Sequence, residues 1–361
     1  MPQTVQGDTV RILSIDGGGI RGILPAALLQ FLEEHTGQRA ADLFHLISGT
    51  STGGIICCGL AKGMSAAELG KFYSDHGGAI FHRSLWDRLS HPSLTGPKYN
   101  ADALEATLKD ILGDMRLSDI TSTEVLVPTY AIELPEAQQQ SGVKSTRTPM
   151  FFKSWKARGM GLQSRPNPAT GQVQQQTAAD FDFFLRDVAR ATSAAPTYFA
   201  PAQITNKAGK RYAAVDGGVF ANNPALCALA EAYKLFPGKK NYIVVSLGTG
   251  SLERDIPYAA AKDWGEIGWL HPILSILMDG NADTVCYQCD QVLGDHHYRF
   301  EVTLGRDPHD PYTVNDDFDD ASVDNIARLV RLSGKLVQDS MPRLNELCGL
   351  LAPADTAKKA G

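Results

Sequence analysis

The stretch Leu46-Ile47-Ser48-Gly49-Thr50-Ser51-Thr52-Gly53-Gly54-Ile55-Ile56 constrains the fold of this chain more than any other. An apolar run reaches Ser51 through one glycine and leaves it through two, after which apolar residues recur at helical spacing. The serine is therefore predicted on a sharp strand-to-helix turn. G-x-S-x-G at such a turn is a nucleophile elbow: the serine takes a strained backbone conformation, and the glycines let strand and helix pass closely. The hydroxyl then stands at a sheet edge, beside the positive end of the helix that follows. The same five residues also suit a purely structural turn, so a catalytic reading needs partners elsewhere in the chain.

The first partner comes earlier. Residues 10–15 read as a buried strand, and Asp16-Gly17-Gly18-Gly19-Ile20-Arg21-Gly22 ends it in a glycine-rich loop. Residues 23–35 then place Leu24, Leu28, Phe31 and Leu32 on one helical face. Successive N–H groups in such a loop, together with the helix N-terminus, make an anion site. Gly17, Gly19 and Gly22 satisfy G-x-G-x-x-G, which is compatible with a dinucleotide pyrophosphate. Asp16, however, would face that pyrophosphate, and the second strand ends in Ser51 where a ribose-binding acid would stand. An oxyanion hole for acyl transfer explains both loops together.

Strands and helices alternate through most of the remaining length, predicting an α/β fold with a central, largely parallel sheet flanked by helices. Residues 65–91 read as helical and then irregular, 90–97 as a loop, and 101–112 as a helix capped by Asn100. Strands are expected at 124–134, 150–155, 211–215 and 242–247, with helices at 184–192 and 225–235. The second of these helices follows Asn222-Asn223-Pro224, a start signal. Residues 264–278 are unusually apolar, as expected of a core helix or, alternatively, of a lid beside a lipid-accepting mouth. The acidic stretch 307–320 reads as a solvated turn, and 323–351 as two helices split at Met341-Pro342. At 361 residues this describes one domain over 1–351, with a helical extension from 281 and a disordered tail at 352–361.

Residues 137–179 contain no Asp or Glu but six cations, Lys144, Arg147, Lys153, Lys156, Arg158 and Arg165. This insertion reads as a solvated face or as a patch for phosphate groups, with Lys153, Lys156 and Arg158 as the candidate contacts. A net charge of −6 argues against a nucleic-acid polymer as partner. Cys286 and Cys289 have metal-ligand spacing, with His296 and His297 nearby, but no second pair completes a zinc set; buried thiols are the simpler reading. A polar N-terminus and the lack of a bilayer-length apolar run predict a cytoplasmic protein.

A serine nucleophile needs a base. None of the nine histidines stands alone in a glycine-framed turn after a strand. Asp216 does, because Gly217 and Gly218 follow it and leave room for its carboxylate to accept the Ser51 proton; a plain Asp-Gly-Gly turn is the rival reading. In this order, Asp16 to Gly22, Gly49 to Gly53 and Asp216 to Gly218 resemble the three signature blocks of patatin-like phospholipases. Ser193-Ala194-Ala195-Pro196-Thr197-Tyr198-Phe199 and Ser246-Leu247-Gly248-Thr249-Gly250 add to the likeness. The resemblance implies a three-layer sandwich and a Ser51–Asp216 dyad without histidine. It also implies an oxyanion hole from Gly17, Gly18 and Gly19 beside Arg21, and hydrolysis of acyl esters in phospholipids at a membrane surface. No metal or organic cofactor is implied. The chain is also similar to bacterial patatin-like effectors switched on by cyclic nucleotides in antiphage defence, which would make a cyclic nucleotide an activator. Rival classes are an NAD(P)-binding oxidoreductase built on residues 17–22 and a non-catalytic lipid-binding module.

Overall fold

Alternate residues along the inner strands enter two different hydrophobic cores, and this two-sided burial organises the molecule. In Thr9–Ile15 (β1), Leu13 and Ile15 join one core while Val10 and Ile12 join the other. Asn241–Leu247 divides in the same way, with Val245 and Leu247 against Tyr242 and Val244. A strand buried on both faces must be covered by helices on both, which the crossover connections of a parallel sheet supply. The computed structural model describes residues 5, 7–81, 96–135, 147–166, 173–252, 255–305, 307, 309–315 and 317–352.

The remaining strands of the main sheet are Leu46–Gly49 (β2), Glu124–Glu133 (β3), Thr148–Lys153 (β4), Ala202–Thr205 (β5), Arg211–Asp216 (β6), Asn241–Leu247 (β7) and His297–Phe300 (β8). Their order is β8-β7-β1-β2-β3-β6-β5, with β4 also paired to β3. From β8 to β3 the pairs are parallel; β4, β5 and β6 add antiparallel pairs.

One core takes in Ile23–Thr36 (α1), Thr52–Lys62 (α2), Ala66–Ile80 (α3), Asp102–Leu112 (α4) and Leu185–Thr192 (α5). The other is covered by Ala225–Leu235 (α6) and by Val285 and Cys289 of Glu266–Leu293 (α7). Just before α6, Asn223 Oδ1 accepts the Ala225 N–H at 3.0 Å, while Pro224 stands at the N-cap, where no side chain caps the helix.

Two readings are corrected and a third is amended. Residues 323–351 form one helix, Val323–Leu351 (α8), with Pro342 inside it. Its leucines at 329, 332, 336, 344, 347 and 351 make one buried stripe through the proline, so packing outweighs the missing N–H. Residues 264–278 are not a core helix, because Trp269, Ile273, Ile276 and Leu277 of α7 are exposed. The acidic stretch 307–320 is exposed turn and loop at 307, 309–311, 315 and 317, as expected, but Asp319 is buried, accepts from Tyr99 Oη at 2.7 Å and pairs with Lys98. The 137–179 stretch contains β4, close to the strand expected at 150–155 and paired with β3, followed by a short ladder of Ser164–Pro166 with Val173–Gln175. Its residues 137–146 and 167–172 lie outside the described residues, as do 90–95 of the loop and 353–361 of the expected tail. Among the described residues no helix is long and apolar enough to cross a membrane.

Candidate active site

Ser51 connects β2 to α2 at φ 54° and ψ −120°, a conformation that costs a non-glycine residue on the order of 1–3 kcal/mol. Close packing imposes it. A Cβ at Gly49 would come within 2.1 Å of the Gly53 carbonyl oxygen, and one at Gly53 within 2.3 Å of the Ile15 carbonyl oxygen. Neighbouring groups hold the turn. The Ser51 N–H donates to Thr192 Oγ1 at 3.0 Å, and that hydroxyl donates to the Pro128 carbonyl at 2.7 Å. Thr50 Oγ1 donates to the Ala221 carbonyl at 2.6 Å.

Strand register brings in Asp216. β2 runs parallel to β3 with Ser48 opposite Leu126, whereas β6 runs antiparallel to β3 with Asp216 opposite Thr129. The C-terminal ends of β2 and β6 therefore approach each other along β3, at levels only about 10 Å apart. The Asp216 carboxyl is 3% exposed, and its Oδ1 accepts the Gly218 N–H at 2.7 Å. Oδ2 is buried without a well-formed hydrogen bond. Burial pushes the carboxyl up to about 7, partly opposed by the Gly218 N–H and by the nearby Ser51 hydroxyl. The serine is thus close enough to act on the carboxyl electrostatically, with a contact looser than a finished hydrogen bond, as is common before substrate binds.

The glycine-rich loop closes the third side. Gly17 N–H donates to the Asn222 carbonyl at 3.1 Å, Ile20 N–H to the Phe318 carbonyl at 2.9 Å, and Arg21 N–H to the Gly18 carbonyl at 3.2 Å. Of the three consecutive glycines, Gly17 has its N–H engaged in this way, and no backbone acceptor meets the Gly18 or Gly19 N–H among the described residues. Thr249 Oγ1 holds the Gly17 carbonyl at 2.7 Å, and Arg21 reaches the Gly18 and Gly250 carbonyls at 3.3 and 3.4 Å. Under the loop, Asp16 pairs with Arg299 at 2.7 Å, and Arg299 also meets Glu301 at 2.5 Å. Burial raises the Asp16 carboxyl to about 6 despite that guanidinium.

Ser51 and Asp216 line an apolar cleft with Phe72, Tyr198, Met278 and Phe318. Tyr198, Met278 and Phe318 also line a second cavity, of about 630 Å³ and with both charged and apolar walls, on the Asp16 and Arg21 side. Thr192, Thr249, Arg299 and Phe318 escaped the sequence reading. Thr249 stands in the quoted Ser246–Gly250 block and Thr192 directly before the Ser193–Phe199 block, so a local signal existed for both. Arg299 and Phe318 lie in segments without a motif and are placed only by tertiary contact.

The three candidate phosphate contacts each have an internal partner. Arg158 clamps both oxygens of Glu124 at 2.6 Å, Lys153 pairs with Glu231 at 3.1 Å, and the Lys156 ammonium lies 4.7 Å from the Phe181 ring centroid. Cys289 is buried in the core and His297 Nδ1 lies 2.7 Å from Asp290. Among the described residues no group of three or more His, Cys, Asp and Glu is arranged to hold a metal ion.

The description "Patatin-like phospholipase" belongs to the family model that matches residues 13–229. Patatin-like protein 1 of Oryza sativa subsp. indica is 32% identical over 390 residues, spanning 95% of this chain and 85% of its own length. Patatin-like protein 2 of Arabidopsis thaliana is 31% identical over 380 residues, spanning 94% and 85%. Among solved structures, human GIVD cytosolic phospholipase A2 aligns at 12% identity with a TM-score of 0.43; the alignment covers 95% of this chain and 60% of that protein.

Proposed function

This chain belongs to the patatin-like phospholipase family and is a lipid acyl hydrolase, and on that premise we propose that it cleaves fatty-acyl esters through a Ser51–Asp216 dyad and an acyl-enzyme. The observation that carries the proposal is a strained serine at a strand-to-helix elbow beside a buried carboxyl raised to about 7. Asp216 accepts the Ser51 Oγ proton while Oγ attacks the ester carbonyl. The N–H groups of Gly18 and Gly19 receive the developing oxyanion, where losing one donor costs about 3 kcal/mol of transition-state stabilisation. As the tetrahedral intermediate collapses, protonated Asp216 gives its proton to the leaving alcohol. Water then attacks the acyl-serine, Asp216 takes its proton, and Ser51 Oγ leaves with that proton.

Gly17 and Arg21 act as positioning residues in this scheme, since their recorded contacts go to carbonyls that fix the loop. Asp16 and Arg299 brace it from below. The apolar cleft suits an acyl chain. Cyclic-nucleotide activation draws no support from Lys153, Lys156 and Arg158, whose cationic groups have internal partners.

The test is hydrolysis of phospholipid and of p-nitrophenyl esters by Ser51→Ala and Asp216→Ala, with covalent labelling of the parent by a fluorophosphonate. Both variants are expected to lose at least about 10³-fold in turnover, and Ser51→Ala to lose the label. Ester hydrolysis at the parental rate by either folded variant would remove the dyad.

A further inference from the structure

An enzyme acting on lipid needs a way to hold its site at an aggregate surface, and the wall of the cavity suggests one. Helix α7 places Leu274, Ser275, Met278, Asp279 and Ala282 along the 630 Å³ cavity, and Met278 also reaches the Ser51 cleft. At about 100° of turn per residue, these side chains occupy one side of the helix. The opposite side carries Trp269 at 37%, Ile273 at 43%, Ile276 at 41% and Leu277 at 51% exposure. These four fall within an arc of about 100°, the width of an apolar helix stripe. Ile276 takes part in both sides, exposed on the stripe and lining the cavity. The stripe therefore borders the cavity at Ile276, and its far side lies one helix diameter, roughly 10 Å, away.

We infer that this face of α7 is the surface by which the protein lies on a lipid aggregate, with the mouth of the cavity turned toward the headgroups. Three observations select lipid as the occupant. The stripe is continuous with the wall of the cavity through Ile276. Residues 267–278 contain no Asp, Glu, Lys or Arg, so the stripe itself carries no carboxylate, ammonium or guanidinium to desolvate, and exposed Glu266 bounds it at the start of the helix. Exposed Tyr258 precedes the stripe and exposed Tyr287 extends the same face, joining Trp269 as aromatics of the kind that sit at headgroup level. Four partly exposed side chains also fall well short of the roughly 20–30 residues per side of a stable protein interface.

The inference rests on the lipid-hydrolase reading, so docking and chemistry are measured apart. Ser51→Ala protein is cosedimented with phosphatidylcholine vesicles, with and without Ile273→Glu/Leu277→Glu. Neither of these residues lines the catalytic cleft or the cavity. The double substitution is expected to lower vesicle partition at least about tenfold, while the parental partition is nearly unchanged by added salt. In protein retaining Ser51, the same substitutions should lower hydrolysis of vesicle lipid to a similar degree and leave soluble p-nitrophenyl butyrate turnover within about twofold, matching an uncharged stripe outside the reaction site. Vesicle partition retained by the double variant would overturn the docking face. So would a parental dimer that the substitutions dissociate, since the stripe would then belong to a second copy of the chain. Failure of the dyad would instead abolish soluble-ester turnover and leave vesicle partition intact.

Discussion

Burial lifts the Asp216 carboxyl from an ordinary 3.8 to about 7, and this one shift sets both an activity profile and a stability profile. As the base that accepts the Ser51 proton, Asp216 must be ionised in the free enzyme. The value of kcat/KM is therefore expected to rise with pH and reach half its plateau near pH 7, read with a soluble ester whose own hydrolysis is subtracted. The stability effect has the opposite sense. Between about pH 4 and 7 the folded state keeps a proton that the unfolded chain releases, so the contribution of Asp216 falls as pH rises through that window. Asp216→Asn should abolish most turnover yet raise the unfolding midpoint at pH 8, with little change at pH 4, as denaturant titration at the two values would report. A variant equally stable or less stable than the parent at pH 8 would argue against a carboxylate held at a cost. Ser51 carries strain of a different origin. Its positive φ is fixed by the approach of Gly49 and Gly53 to backbone carbonyls, so Gly53→Ala is expected to prevent correct closure of the elbow, with loss of fluorophosphonate labelling.

At the scale of elements, α8 shows packing overriding a local signal. Pro342 cannot donate to the carbonyl one turn before it, at Gln338, yet the helix continues because its leucine stripe is buried on both sides of the break. Pro342 itself is exposed. Pro342→Ala should therefore stabilise the protein by about 1–3 kcal/mol by restoring that donor, whereas Leu347→Ala should destabilise it by about 2–5 kcal/mol through the cavity left behind. Equilibrium unfolding of the two variants checks both signs. Helix α7 shows the reverse relation between sequence and burial. Its apolar run has the composition of a core helix, but a single face is enough to wall the cavity, and the other is left at the surface. Apolar composition alone does not distinguish these outcomes, because periodicity says which residues share a face and nothing about what that face meets.

Across the whole molecule, the site is a meeting of strand ends. β1 delivers Asp16 and the glycine loop, β2 delivers Ser51, β7 delivers Thr249, and β8 delivers Arg299 with Glu301 just beyond it. Arg299 joins the first and last of these through Asp16 and Glu301. Removing it leaves the buried Asp16 carboxylate without its cation, so Arg299→Ala should cost about 3–5 kcal/mol of stability and lower activity through the displaced loop, as paired unfolding and kinetic measurements would show. The three glycine-framed blocks and the alternation of strand and helix were legible without coordinates, because backbone strain admits few residue types and burial on both faces leaves a periodic trace. The partners of those blocks were not. Phe318 and Arg299 reach the loop from far along the chain, and Asn222, though named as part of a helix start, gave no sign that its carbonyl would take the Gly17 N–H. The cations at 153, 156 and 158 read as a patch because sequence shows charge but conceals the acids that fold against it. Sequence by itself thus determined which local conformations the chain must adopt at Ser51 and the glycine loop. Only the tertiary structure decided which donors stay open, which charges are paired and which apolar face is left uncovered, since each depends on contacts between residues far apart in the chain.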